Sequence, residues 1–453
     1  MPVPENVGNL LDITHWRLTP YQILAAGFAA LILAGAVLLA LPAASATSEP
    51  VPFLDALFTS TSAVCVTGLV TVDTGTRYSL FGHIVIILLI QAGGLGIMTM
   101  ATLMALLMGK RINLRERLIM QEAMNQLTVA GVVRLTRYII KATLFIEFIG
   151  GTILAVRWYL DFGPKGIFYG YWHAVSSFCN AGFDLFGGYR SLTGYVDDLT
   201  VNLVVSFLII LGGIGFTVIA DVWQNRRFRD YSLHSKIVVA VSAFLIVFGT
   251  IIILLFEWDN PATLAPLPWD GKLLASYFQS VTPRTAGYNT MPIGDMGSAT
   301  LFFIVVMMFI GASPSSTGGG VKTTTAGLLA AAIWAMIRGR EDVEIFERGI
   351  SRTVIYKAFA LVFIAALLVI FVTMMLCLTE QAPFLNILFE VVSAFGTVGL
   401  TTGLTPSLTA SGKLWIILTM FAGRVGPVTL ALALAMRQRK AMVRYPEGKV
   451  IIG

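Results

Sequence analysis

Charged side chains are scarce in this sequence. Lysine, arginine, aspartate and glutamate together account for 12% of its 453 residues, whereas about 25% is usual in soluble proteins. Hydrophobic residues reach 56%, and the mean hydropathy is +0.80. Long uncharged apolar runs recur along the chain, and each is long enough to cross a bilayer. The composition therefore excludes an ordinary soluble domain and indicates a multi-pass membrane protein.

Patterns typical of metal binding and catalysis are missing as well. The three cysteines, Cys65, Cys179 and Cys377, have no CxxC spacing and do not cluster with any of the four histidines. We expect them to be packing residues, because a zinc site or a disulfide framework needs convergent partners. The sequence contains no P-loop, HExxH or GxSxG motif, which argues against a membrane enzyme.

One short stretch occurs four times. Pro52–Leu69 and Pro383–Leu400 align without a gap and share nine identities in eighteen positions, and weaker copies lie at Gly166–Phe183 and Gly271–Tyr288. Each copy has an aromatic residue ten positions before a glycine; the pairs are Phe58 and Gly68, Trp172 and Gly182, Tyr277 and Gly287, and Phe389 and Gly399. The glycines are separated by 114, 105 and 112 residues. This spacing indicates four repeats of one unit.

Each repeat predicts the same three elements, namely a long apolar run, a half-length segment that ends at the glycine, and a second long run. The first runs cover about 21–41, 138–160, 237–257 and 354–378, and the second cover about 80–108, 200–223, 299–337 and 413–436. A helix of about 12 residues cannot cross roughly 30 Å of hydrocarbon, so the half-length segment must enter and leave on one side. We predict an all-α membrane protein with four M1–P-loop–M2 repeats, that is, eight spans plus four pore helices in a pseudo-fourfold arrangement around one ion pore.

The connections between repeats carry most of the lysines and arginines. The positive-inside rule places these connections and both termini in the cytoplasm, so the half-length segments enter from outside. The repeat boundaries are then 1–110, 111–224, 225–340 and 341–453. The net charge of +6 is explained by basic loops that face anionic lipid headgroups and needs no nucleic-acid partner.

The end of each half-length segment has the composition of a turn. The four tripeptides are Val66-Thr67-Gly68, Asn180-Ala181-Gly182, Thr285-Ala286-Gly287 and Thr397-Val398-Gly399. Non-helical backbone at membrane depth persists only where protein buries it or where it lines a water-filled cavity. Glycine permits positive φ, so carbonyl groups can face the axis and replace the hydration shell of a monovalent cation. The alternative, four interfacial helices with ordinary turns, does not explain the recurrence.

The second long run of the third repeat is interrupted. Its 39 residues are too many for one crossing at 1.5 Å per residue, and the segment GASPSSTGGG at 311–320 cannot continue a helix comfortably. We predict an intramembrane gating loop over 311–325, rather than an extramembrane loop between two short helices. The candidate gate residues are Gly311, Ser313, Pro314, Ser315, Ser316, Thr317, Gly318, Gly319, Gly320 and Lys322, and the lysine supplies a cation that could obstruct the pathway.

Glycines also interrupt the other three second runs, in GGLG at 93–96, GGIG at 212–215 and GRVGP at 423–427. We expect these breaks to be mild and the glycines to serve close helix packing. Arg424 lies about 14 Å along its helix from Trp415, near mid-membrane, where a cation is costly and usually paired. We predict that Arg424 belongs to the gate and binds loop carbonyl groups or Asp221; the alternative is a packing arginine that snorkels away from lipid.

At these motifs the chain resembles the Trk/Ktr/HKT superfamily of potassium transporters, and most closely the bacterial Ktr membrane subunit (KtrB/KtrD type). TGL, AGF, TAGY and VGLTTG at the turns carry the likeness, and QSVTPRTAGYNT and SAFGTVGLTTGLTP are its most specific parts. The resemblance implies K⁺ uptake across the bacterial cell membrane through a four-glycine selectivity filter, formed by the twelve turn residues. Some relatives carry serine in the first repeat and admit more Na⁺, so Gly68 favours K⁺. No repeat contains a full TVGYG.

The resemblance also implies partners. It predicts a homodimer with one pore per protomer, seated on a cytosolic ring of RCK-type regulatory subunits (KtrA/KtrC type) that moves the gating loop. K⁺ is then the metal at the filter, Na⁺ is a candidate modulator, no covalent cofactor is expected, and nucleotide binds only to the partner. The alternative is a Na⁺-coupled or Na⁺-permeable secondary cation transporter, although repeats in one orientation do not suggest alternating access.

Overall fold

The computed structural model describes residues 20–47, 49–96 and 132–426. The first repeat contains α1 (Pro20–Leu39), α2 (Phe53–Cys65), a one-turn helix at Thr74–Arg77 and α3 (Leu80–Leu95). The rest of its second run, together with the second run of the fourth repeat beyond Gly426 and the tail, lies outside the described residues. Only part of the predicted set of eight spans is therefore described.

In the part of the chain that the structure describes, the second and third repeats contain four α-helices each. In the second they are α4 (Val132–Phe162), α5 (Pro164–Phe178), α6 (Leu199–Ile214) and α7 (Phe216–Gln224). In the third they are α8 (Leu233–Glu257), α9 (Trp269–Val281), α10 (Ser298–Phe309) and α11 (Thr323–Ile337). Both second runs are thus divided into two helices.

A short antiparallel hairpin, β1 (Val343–Ile345) and β2 (Arg348–Ile350), precedes the fourth repeat. This hairpin is absent from the prediction of an all-α protein. Beyond it lie α12 (Arg352–Thr379), α13 (Phe384–Gly396) and α14 (Ala410–Val425).

The first helix of every repeat is long and apolar. Among the described residues, four helices are long and apolar enough to cross a membrane, and the pair α6 and α7 makes a fifth if it is counted as one bent span. Only 28% of the apolar window is buried in α1, α8 and α12, so most of their side chains face outward, as they do in helices that contact lipid.

The half-length helices lie at the centre of the molecule. A proline stands at the N-cap or first position of all four, namely Pro52, Pro164, Pro268 and Pro383, where its missing N–H costs no hydrogen bond. Three of the repeated aromatics, Phe58, Trp172 and Phe389, are buried. Tyr277 is half-buried, and its hydroxyl contacts Ser206 Oγ at 3.2 Å.

Glycines pack the second helices against the half-length helices. A Cβ added to Gly93, Gly212 or Gly423 would strike the carbonyl oxygen of Val64, Phe178 or Phe395, respectively, so only glycine permits these approaches. The expectation of a mild break is wrong in the second repeat, however. Helices α3, α6 and α14 all end at a glycine of positive φ, at Gly96, Gly215 and Gly426, and α7 leaves α6 at an angle of 96°.

Candidate functional site

The four predicted turns share one backbone conformation. The first residue of each has a left-handed φ, with 59° at Val66, 59° at Asn180, 73° at Thr285 and 52° at Thr397. The glycine two positions later also has positive φ, with 91° at Gly68, 68° at Gly182, 80° at Gly287 and 94° at Gly399. Non-glycine residues seldom adopt this region. Its recurrence at one position in every repeat shows a constraint that the surrounding structure maintains.

The four turns meet in a closed ring. A Cβ placed on Gly68 would lie 3.2 Å from the Cα of Gly182, and the next two contacts around the ring, from Gly182 to Gly287 and from Gly287 to Gly399, are 3.0 and 3.1 Å. The ring closes from Gly399 back to Gly68 at 3.0 Å. Each such Cβ would also strike the carbonyl oxygen that precedes the next glycine, on Ala181, Ala286, Val398 and Thr67 in turn. Side chains are therefore excluded at all four positions.

Hydroxyl groups fix the glycine end of each turn. Ser62 Oγ accepts the N–H of Gly68 at 3.0 Å, and Ser393 Oγ accepts that of Gly399 at 3.1 Å. Ser176 Oγ instead donates to the carbonyl of Phe183 at 3.0 Å. In the third repeat Thr282 Oγ1 donates to the carbonyl of Tyr288 at 2.5 Å. The third repeat has Val281 at the position of these serines, six residues before the glycine, and its hydroxyl comes from Thr282, one residue later.

A second set of tethers lies one position after the repeated aromatic. Thr59 Oγ1 contacts the Tyr78 hydroxyl at 3.1 Å, and His173 Nε2 accepts the N–H of Leu185 at 3.3 Å. The third repeat has a buried phenylalanine, Phe278, at this position. These contacts were not predicted from the sequence, because a polar residue within an apolar helix does not identify its partner.

Glu390 occupies the same position in the fourth repeat. Its carboxylate is fully buried and accepts hydrogen bonds from the Thr402 N–H at 3.2 Å, from Thr405 Oγ1 at 2.7 Å and from Thr401 Oγ1. Within the described residues it takes part in no ion pair. These contacts bind the segment after the turn to the half-length helix. In the sequence, the threonines of TTGLTP were the only indication of donors for this carboxylate.

The predicted intramembrane loop contacts the ring directly. The Gly319 N–H donates to Thr397 Oγ1 at 2.9 Å, and a Cβ on Gly318 would strike the Thr285 side chain. Thr317 Oγ1 donates to the Phe178 carbonyl at 3.4 Å. The predicted bounds of 311–325 are too long at their C-terminal end, because α11 begins at Thr323.

The loop also lies against the bend between α6 and α7, which we call the elbow (residues 212–216). Amide groups of Ser313 and Thr317 donate to the carbonyls of Gly213 and Gly212 at 3.0 and 3.2 Å. The Phe216 N–H donates in return to the Ser315 carbonyl at 2.9 Å. A helix end leaves carbonyl and amide groups without partners, and here the loop satisfies two carbonyl groups of α6 and one amide group of α7.

Two cationic side chains hold the loop. Arg424 donates from Nη1 to the Thr317 carbonyl and from Nη2 to the carbonyls of Gly93 and Gly94, the latter at 3.2 Å. The predicted contact with loop carbonyls is thus present. The alternative partner, Asp221, instead accepts from Ser232 and Asn225.

Lys322 does not extend away from the loop. Its Nζ donates to the carbonyls of Gly318 at 2.7 Å and Gly319 at 3.4 Å. The ammonium group is therefore held by the loop's own backbone, and its predicted role as a cation that obstructs the pathway stays a prediction.

Comparison with known proteins identifies the family. Residues 14–444 match the TrkH family model, which is described as a cation transport protein. The chain belongs to the TrkH family. It is 47% identical over 444 residues to the Ktr system potassium uptake protein B of Bacillus subtilis, with 97% of this chain and 98% of the relative covered. The Ktr system potassium uptake protein B of Vibrio alginolyticus is 39% identical, with 95% and 94% covered.

A further relative and a solved structure are also similar to this TrkH-family chain. The potassium/sodium uptake protein NtpJ of Enterococcus hirae is 43% identical, with 96% of this chain and 98% of the relative covered. The crystal structure of the potassium transporter TrkH from Vibrio parahaemolyticus matches with a TM-score of 0.72 at 17% identity, covering 93% of this chain and 86% of that one. The fold is therefore that of TrkH. The family consists of transporters, which confirms the prediction that the chain is not an enzyme.

Proposed function

We propose that this chain is the K⁺-conducting membrane subunit of a Ktr-type uptake system in the bacterial cell membrane. The observation that carries the proposal is the closed ring of four glycine turns. Turns that meet around one axis bring backbone carbonyl groups from all four repeats together, and such oxygens can replace a cation's hydration shell. The names of the relatives from Bacillus subtilis and Vibrio alginolyticus support K⁺ as the ion.

In this proposal the chain divides into four M1–P-loop–M2 repeats at 1–110, 111–224, 225–340 and 341–453. The twelve turn residues form the selectivity filter, the half-length helices enter from outside, and both termini lie in the cytoplasm. The half-length helices direct the negative ends of their dipoles at the ring, which favours cations.

The loop at 310–322 is proposed as the gate, with Arg424 as the residue that holds it. The direct hydrogen bond between Gly319 and Thr397 supports this role, because a movement of the loop must change the surroundings of the ring. The glycines and serines of the loop give its backbone several accessible conformations.

Regulation is proposed to come from other chains. Two relatives are named as parts of a Ktr system, which supports a regulatory partner; we propose a cytosolic RCK-type ring that binds nucleotide, beneath a homodimer of this chain. The name of the Enterococcus hirae relative includes sodium, so Na⁺ permeation is the second candidate function.

The test is ⁸⁶Rb⁺ flux in proteoliposomes with Na⁺ as competitor. We expect wild-type protein to discriminate strongly, and Gly399→Ser to lose discrimination, because the added side chain meets the first repeat's backbone. Gly194→Ser is the matched control, since a Cβ at that position has nothing within 4 Å. Equal discrimination in wild type and Gly399→Ser would contradict the filter, and weak discrimination in wild type would favour Na⁺ permeation.

A further inference from the structure

A deep apolar groove lies on the outer surface of the second repeat. It has a volume of about 910 Å³ and runs between α4 and α6, with α7 at one end. Phe145 and Phe207 line it and are 64% and 59% exposed, and Trp223 on α7 is 81% exposed. Apolar side chains that remain this accessible in a membrane protein lie in contact with lipid chains.

One end of the groove is basic. Lys141 lines it, and Arg137 lies one turn earlier on α4; both side chains are exposed. Neither forms an ion pair within the described ranges 20–47, 49–96 and 132–426. The Tyr138 side chain adds a hydroxyl at the same end. Basic and aromatic residues beside an apolar surface are the expected surroundings of an anionic lipid headgroup.

The length of the groove fits one membrane leaflet. From Lys141 to Ile153 the α4 wall extends about 18 Å at 1.5 Å per residue. One leaflet contributes about 15 Å of hydrocarbon, half of the bilayer core. An acyl chain that lies along the groove therefore brings its phosphate to the basic end.

The inner side of the same helices holds the loop. Leu208 and Leu211 of α6 and Ile219 of α7 line the groove, and the elbow between these two helices binds Ser313, Ser315 and Thr317 through backbone hydrogen bonds. A Cβ on Gly215 would lie 2.5 Å from the Pro314 carbonyl oxygen. A change in the angle of the elbow must therefore move the loop.

We propose that the groove binds one anionic phospholipid, with its acyl chain between α4 and α6 and its phosphate on Lys141 and Arg137, and that this lipid fixes the elbow on which the loop rests. The proposal of a lipid site depends only on the shape of the groove and on the basic residues at its end. The coupling to ion flux rests on the proposed function.

Native mass spectrometry of the full-length protein tests the site, with phosphatidylglycerol and phosphatidylcholine as probes. We expect wild type to retain phosphatidylglycerol in preference, and Lys141→Gln to bind it roughly fivefold more weakly, the effect of one basic residue near an anionic headgroup. Lys357→Gln, at the equivalent end of α12 and outside the groove, should behave as wild type. Ala142→Trp, which fills the groove, should reduce binding of both lipids. Unchanged phosphatidylglycerol retention in Lys141→Gln and Ala142→Trp would overturn the proposal.

Flux measurements test the coupling. Wild-type ⁸⁶Rb⁺ flux should differ between liposomes with and without phosphatidylglycerol, and Lys141→Gln should lose most of that difference while it keeps the flux seen in pure phosphatidylcholine. An equal response in both proteins would overturn the coupling. If wild type conducts no Rb⁺ in either membrane, the proposed function fails, but the lipid-binding result stands independently.

A second copy of the chain is the competing occupant. In a Cys377→Ala background, which removes the exposed cysteine, Phe207→Cys should form no disulfide-linked dimers under oxidation if lipid fills the groove. Efficient disulfide-linked dimers through residue 207 would place another protomer there and overturn the lipid assignment.

Discussion

The residue that follows the repeated aromatic differs in every repeat, yet in three of them it restrains the segment beyond the turn. Thr59 and His173 each make one contact with that segment, whereas Glu390 makes three. A buried carboxylate without a cationic partner is tolerated only when donors satisfy its oxygens. The fourth quarter of the ring therefore depends most on a single side chain.

Glu390→Gln should weaken K⁺ over Na⁺ discrimination more than it reduces flux. The amide keeps the size of the side chain but replaces one acceptor with a donor, and hydrogen bonds to charged groups contribute about 1.5–3 kcal/mol each. Competition of Na⁺ with ⁸⁶Rb⁺ in proteoliposomes measures the effect. Glu380→Gln is the matched control: this buried glutamate binds the Thr409 N–H and Oγ1 at the C-terminal end of α12. If both variants discriminate alike, the tether has no special role in the ring.

Asp184 predicts a pH dependence of ion affinity. It lies in the segment between α5 and α6, two residues after Gly182, and burial raises its pKa to about 6. A raised carboxyl pKa means that the group is neutral below about pH 6 and gains its negative charge above it. We expect the KM for Rb⁺ to fall about twofold as pH rises from 5 to 7.5, the effect of one charge roughly 8 Å away in water. Asp184→Asn should abolish this change, and Asp197→Asn, an exposed carboxyl in the same segment, should retain it.

At the scale of elements, Arg424 links three parts of the molecule. Its guanidinium, on α14, joins the Thr317 carbonyl of the loop to the carbonyls of Gly93 and Gly94 at the end of α3. The forked geometry of arginine allows one side chain to hold both elements, whereas lysine has a single ammonium group. The position of the loop relative to α3 therefore depends on this residue.

We expect Arg424→Gln to raise ⁸⁶Rb⁺ flux per folded molecule, because the loop loses its bond to α3. Arg424→Lys should give an intermediate flux, since it keeps the charge without the fork. Thermal unfolding of the purified variants supplies the control for folding. If Arg424→Gln lowers the melting temperature strongly and leaves the flux of the remaining folded protein unchanged, the arginine is a packing residue.

Local signals in the sequence were sufficient for the half-length helices. The glycine in the turn and the aromatic residue ten positions before it are both read from the local sequence, so these segments were predicted close to their observed bounds. The 96° bend at Gly215 was not predicted, because it requires hydrogen bonds from a loop about 100 residues away. The hairpin β1–β2 was missed for a different reason: its turn places Phe346 and Glu347 at positive φ, where the usual glycine or asparagine signal is absent.

At the scale of the whole molecule, repetition revealed more than any single motif. Four copies of one turn indicated a ring, but the order of contact, from each glycine to the next repeat and back to Gly68, exists only in three dimensions. The partners of Glu390, and the carbonyls of Gly93 and Gly94 that Arg424 also binds, could not be predicted for the same reason. Buried polar residues in an apolar sequence indicate that hydrogen-bond partners are required, but they do not identify which residues those partners are.

The loop is the element through which the whole molecule can act on the ring. It binds the elbow of the second repeat and Thr397 of the fourth, and Arg424 ties it to α3 of the first. If this loop is the gate that we propose, deletion of 312–320 should raise basal flux and also remove the response to a cytosolic partner, because both then depend on the same segment. ⁸⁶Rb⁺ uptake in bacteria that lack their own K⁺ uptake, with and without a co-expressed regulatory subunit, measures both effects. The gate hypothesis fails if the deletion protein reaches the membrane and its uptake equals that of wild type. Higher basal uptake with an intact response would separate the two functions and locate regulation elsewhere.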